Sequence, residues 1–103
     1  MLDREESRKH IAEALGGRPG APLNDAERVE RERVRDLIQA VAACYNTLAS
    51  RETDTGRRTG LVARLSRHDD EFRRRETMSA DERAEVLRTY PDLLDRLRVE
   101  IGE

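Results

Sequence analysis

Val34-Arg35-Asp36-Leu37-Ile38-Gln39-Ala40-Val41-Ala42-Ala43-Cys44-Tyr45-Asn46-Thr47-Leu48 is the stretch on which the fold turns. Its apolar residues, with Val29 upstream, recur at intervals of three, four and seven, which is the period of a helix with one buried face and not that of a strand. Asn24-Asp25-Ala26-Glu27 stands just before it in the form of a capping box, so the helix is expected to start at Asp25. Thr53-Asp54-Thr55-Gly56 supplies the break that ends it. The charged first half, Glu27 to Asp36, is expected to project past the core or to lie on a partner.

Working outward, Leu61, Val62, Leu65 and Phe72 mark another helix, with His68 and Asp69 on the seam between Leu65 and Phe72. Asp69, Asp70 and Glu71 each precede an arginine by four residues, an ordering that suits side-by-side ion pairs with Arg73, Arg74 and Arg75. Ser79-Ala80-Asp81-Glu82 is another capping box, followed by Val86, Leu87 and Tyr90. Pro91 lacks an amide hydrogen and biases Tyr90 away from helical angles, so a kink or break is expected there. The last segment carries Leu93, Leu94, Leu97 and Ile101 and stops at Gly102.

Upstream, Asp3-Arg4-Glu5-Glu6 caps a short, loosely docked helix placed within residues 1–16, and residues 17–23 read as a Gly/Pro linker. Residues 24–103 then make the bundle domain. The expected fold is all-α, a small antiparallel bundle of four to five helices in which the two long central helices form a hairpin.

Composition narrows the function. The chain has 103 residues, of which 20 are Lys or Arg and 22 Asp or Glu, for a net charge of -2. A core without Trp and with a single Phe leaves little material to enclose a deep pocket. The longest apolar run, Val41 to Tyr45, is far shorter than the ~20 residues of a membrane span. Residues 1–6 are charged rather than signal-like, so a cytoplasmic location is expected. One cysteine excludes an internal disulfide, and its spacing from Leu37 and Leu48 makes Cys44 a core residue. A sequence pI near 5.8, with acids at 69–71 between the basic ends of the Arg57–Arg75 segment, argues against nucleic acid as the partner.

No catalytic signature is present. Ser7, Ser50, Ser66 and Ser79 lack an elbow or glycine context. His10 and Glu13, like His68 and Glu71, place an imidazole and a carboxylate one turn apart. Bundle metal sites use the reverse order, Glu-x-x-His, with further inward acids that are missing here. Neither a metal site nor a cofactor is expected. The leading expectation is a non-enzymatic interaction protein, a homodimer or a binder of a protein partner. Its candidate surface is Val34, Leu37, Ile38, Val41, Tyr45 and Leu48, together with Leu87, Tyr90, Leu94 and Leu97. The alternative is a bundle that holds a small anion or a metal through His68, Asp69 and arginines such as Arg73.

Overall fold

The structure, a computed structural model, describes residues 24–103, and every regular element among them is helical. α1 spans Asp25–Arg51, α2 spans Thr55–Arg73 and α3 spans Ala80–Ile101, with a 3-10 turn at Arg75–Thr77 between the last two. The short helix and linker expected in residues 1–23, with His10 and Glu13, lie outside the described residues. No helix among those described is long and apolar enough to cross a membrane.

The starts of the helices follow the local chemistry of the chain. Asn24 Oδ1 accepts from the Glu27 amide at 2.7 Å while Glu27 reaches back to the Asn24 amide, and Ser79 and Glu82 repeat the exchange at 3.1 and 3.0 Å. Each reciprocal pair satisfies amide donors that the first helical turn cannot. α2 begins more simply, with Asp54 Oδ2 accepting from the Arg57 amide at 2.9 Å. α3 ends on Gly102 at φ 101°, a left-handed conformation that a side chain would oppose.

The expected break at Pro91 does not occur. α3 runs unbroken from Ala80 to Ile101 with the proline inside it. An interior proline costs a helix about 3 kcal/mol. Val86 on one side and Leu94 and Leu97 on the other are all buried, and each such burial contributes about 1.5–3 kcal/mol, enough to hold both halves in one helix. The described residues therefore hold three α-helices.

α1 is the central element. Its buried residues include Val34, Leu37, Ile38, Val41, Ala42, Cys44, Tyr45 and Ala49, an arc wider than a single stripe because α2 and α3 both pack on it. α3 adds Val86, Leu94 and Leu97, and Met78 closes the core from the loop before it. α2 buries a single residue, His68, while Leu61, Leu65 and Phe72 stay half-buried. α2 and α3 make little direct contact with each other.

From Glu30 onward the charged half of α1 is held against the rest of the chain, while Val29 before it is exposed. Val34 is buried, Glu30 takes the Arg83 Nε at 2.8 Å, and Arg31 Nη1 lies 3.5 Å from the Glu76 carbonyl oxygen. At the other end, Arg51 donates to the Ile101 carbonyl at 2.7 Å. α1 and α3 therefore begin together and end together.

Candidate functional site

Four side chains from three helices meet where α2 faces α3. His68 lies on the same side of α2 as Leu61, Leu65 and Phe72, and its ring stacks on Tyr45 of α1 at 5.5 Å between centroids and 5° between planes. Tyr90 of α3 meets the ring edge-on, at 5.5 Å and 85°. Glu71, one turn beyond His68, accepts from the Tyr90 hydroxyl at 2.8 Å and sits 2.9 Å from His68 Nδ1. A carboxylate can only accept, so Nδ1 carries the hydrogen and donates it.

Burial works to raise the Glu71 pKa, but the hydrogen bonds from His68 and Tyr90, with the nearby charges of His68 and Arg74, outweigh it and hold the carboxyl below its ordinary 4.5. Burial, followed by the bond to Glu71 and the Glu71 charge, drives the Tyr90 phenol far above its usual 10. The cluster is a closed polar clamp. His68 is 6% exposed, and neither main groove of the surface is lined by His68, Glu71 or Tyr90. It fastens α2 to α3.

The other members of the expected polar site lie elsewhere. Asp69 is exposed and takes no part in the clamp, and Arg73 pairs with Asp70 at the surface. The ladder of i,i+4 ion pairs does not form: Glu71 is taken by His68 and Tyr90, Arg74 reaches Glu82 at 3.0 Å, and Arg75 lies over the Phe72 ring at 4.1 Å. The expected apolar surface is placed inside. Val34, Leu37, Ile38, Val41, Tyr45, Leu94 and Leu97 are buried in the chain's own core, and Leu48, Leu87 and Tyr90 are half-buried against it. A side chain such as Ile38, with no exposed surface, has none to offer a partner. Cys44 is buried as expected, and burial raises its thiol pKa.

Two grooves stand out among the described residues. One, of about 340 Å³, lies between the start of α2 and the end of α3 and is lined by Glu52, Arg57, Gly60, Leu61, Arg64 and Glu100. The other, of about 180 Å³, lies at the opposite end, where α1, the 3-10 turn and the start of α3 converge. Five arginines line it, Arg28, Arg31, Arg35, Arg75 and Arg83, against the acids Glu32 and Glu76.

The chain matches no protein-family model, no curated protein and no solved structure. Its function is therefore read from its own residues.

Sequence reasoning missed both Met78 and Arg83. Met78 precedes the Ser79 cap and Arg83 is four residues into the helix, the two positions that form an apolar staple when both are hydrophobic. Here Arg83 is 7% exposed and donates to the Met78 carbonyl at 2.9 Å, so a polar staple takes that place. The capping box was the signal that could have located it. The arginine groove had no such signal, because its members are scattered over residues 28–83.

Proposed function

We propose that this chain is a non-catalytic helical interaction module that self-associates, with a second copy closing the open side between α2 and α3. One observation carries the reading: α2 buries only His68, leaving Leu65 half-covered and Leu61 half-covered in the lining of a groove that the chain does not fill. In this reading α1 and α2 are the antiparallel hairpin expected from the sequence, and α3 lies along its other side.

Charge favours a second copy as the occupant. A two-fold contact sets a patch against itself, so the patch must be self-complementary. Around Leu61, the groove carries Arg57 and Arg64 against Glu52 and Glu100, two charges of each sign. Copies related by a two-fold axis can pair these groups crosswise. The partner surface is thus the α2–α3 side rather than the α1 stripe, whose residues belong to the core.

Gly60 offers a test that does not endanger the fold. A Cβ built there meets no atom within 4 Å, so a side chain fits the isolated chain, and replacing a helical glycine favours the helix by about 0.5–1 kcal/mol. It would occupy the groove, however. Gly60→Gln is expected to keep full helicity and to melt at a temperature independent of protein concentration, whereas the natural chain melts higher as concentration rises. Concentration-independent melting of the natural chain would overturn the reading.

The second reading, a metal or anion held by His68, Asp69 and Arg73, draws no support from a shared pocket: His68 is buried against Glu71, whereas Asp69 and Arg73 are exposed. An anion site on a different set of residues has support of its own.

A further inference from the structure

We propose that the arginine groove where α1, the 3-10 turn and α3 converge is an oxyanion site that takes the phosphate or diphosphate group of a small soluble molecule. The groove lies at the end of the molecule remote from the self-association surface, and the inference does not depend on that surface.

Five of the eight lining residues are arginines against two acids, and Asp25, Asp36 and Glu30 balance Arg28, Arg35 and Arg83 from outside the lining. A concave cluster of guanidinium donors offers an anion its hydrogen bonds. Its arginines are held in different ways. Arg83 is fixed, its Nε on Glu30 at 2.8 Å and its Nη1 on the Met78 carbonyl at 2.9 Å. Arg75 is set by the Phe72 ring beneath it and by a 2.8 Å bond to the Phe72 carbonyl. Arg28 and Arg35 pair with Asp25 and Asp36 at exposed positions, where an ion pair is weak and an incoming anion can replace it.

Arg31 is the unspent member. Among the described residues it makes no ion pair, its Nη1 reaches only the Glu76 carbonyl at 3.5 Å, and its Nε is buried without a hydrogen-bond partner. A buried donor left unpaired destabilises the folded chain, the more so when it belongs to a charged group. An anion beside this guanidinium would supply the countercharge that the chain does not.

Ligand chemistry follows from the shape and lining of the groove. Guanidinium forks approach from three separate elements, which suits an oxyanion with three terminal oxygens better than a carboxylate with two. A volume of about 180 Å³ equals that of roughly six waters, room for one or two phosphoryl groups. Val34 is the sole apolar residue of the lining, so there is no platform on which a nucleobase could stack.

The test is calorimetric titration of the full chain with inorganic phosphate and with pyrophosphate, at constant ionic strength. The natural chain should bind pyrophosphate saturably, and more tightly than phosphate. Arg31→Lys, which keeps the charge and loses the fork, should bind at least tenfold more weakly with an unchanged far-UV spectrum. Arg35→Gln, at an exposed position that cannot disturb the core, should also weaken binding. Arg64→Gln, at the other end, should stay within twofold of the natural chain. Absence of saturable binding would overturn the proposal. So would an Arg31→Lys protein that binds like the natural one, or an Arg64→Gln loss equal to the Arg31 loss, which would mean diffuse charge rather than a site.

Discussion

The Tyr90 hydroxyl joins α3 to a carboxylate on α2, and its removal separates the polar clamp from simple packing. Tyr90→Phe keeps the ring against His68 but leaves Glu71 with one donor fewer, and a hydrogen bond to a charged group contributes about 1.5–3 kcal/mol. Urea denaturation should report a loss of about 1–3 kcal/mol with helicity retained; an unchanged midpoint would mean that the clamp does not hold the fold. The pH dependence follows from the two shifts. Glu71 titrates below 4.5 in the folded chain, so its contribution is complete above about pH 4.5 and is lost as the pH falls through the folded value. Tyr90 titrates well above 10 when folded, so its contribution is complete below pH 10 and is lost as the pH climbs beyond it. Melting followed across pH should therefore show an acid limb that Glu71→Gln flattens and an alkaline limb that Tyr90→Phe removes. His68 was recognisable on the seam of α2. Glu71 one turn beyond it was recognisable too, but not that Tyr90 would complete the cluster, because Glu71 also stands at the right spacing for Arg75 and only the approach of α3 decides between them.

At the scale of the element, α1 was legible almost residue by residue, since its wide apolar arc and Asn24 cap are local properties of the chain. The caps at Ser79 and Gly102 were legible for the same reason. Of the kink or break expected at Pro91 the break does not occur, because the rule that proline ends a helix concerns the isolated segment, and Val86, Leu94 and Leu97 bind both halves of α3 to α1. A helix held against its own preference should gain when the conflict is removed. Pro91→Ala restores an amide donor and relieves up to about 3 kcal/mol of helix penalty, less the about 0.4–1 kcal/mol by which proline restrains the unfolded chain. A gain of about 1–2 kcal/mol in urea denaturation is expected, and a loss would show that the ring itself packs usefully. The ion-pair ladder of α2 failed for a related reason. Exposed pairs at i,i+4 are worth only about 0.2–0.5 kcal/mol, so a buried partner such as Tyr90 easily claims one of their members.

For the whole molecule, the absence of Trp and the single Phe left little bulk for a core, and the three described helices share one cluster of mostly small and medium apolar residues. What the sequence could not decide is whose surface the α1 stripe meets. A buried stripe and a partner-binding stripe have the same spacing, and α2 and α3 between them cover this one. The open side left over belongs to α2, whose apolar residues are too few to announce an interface. The arginine groove was illegible for a different reason: it is a sum over α1, the 3-10 turn and α3, visible only once they converge. Sedimentation equilibrium of the natural chain from micromolar to near-millimolar concentration is the most direct measurement of the central claim. The account predicts a mass that rises from the 11.8 kDa of one chain towards twice that value, with Gly60→Gln remaining at one. A mass of one chain at every concentration would contradict it.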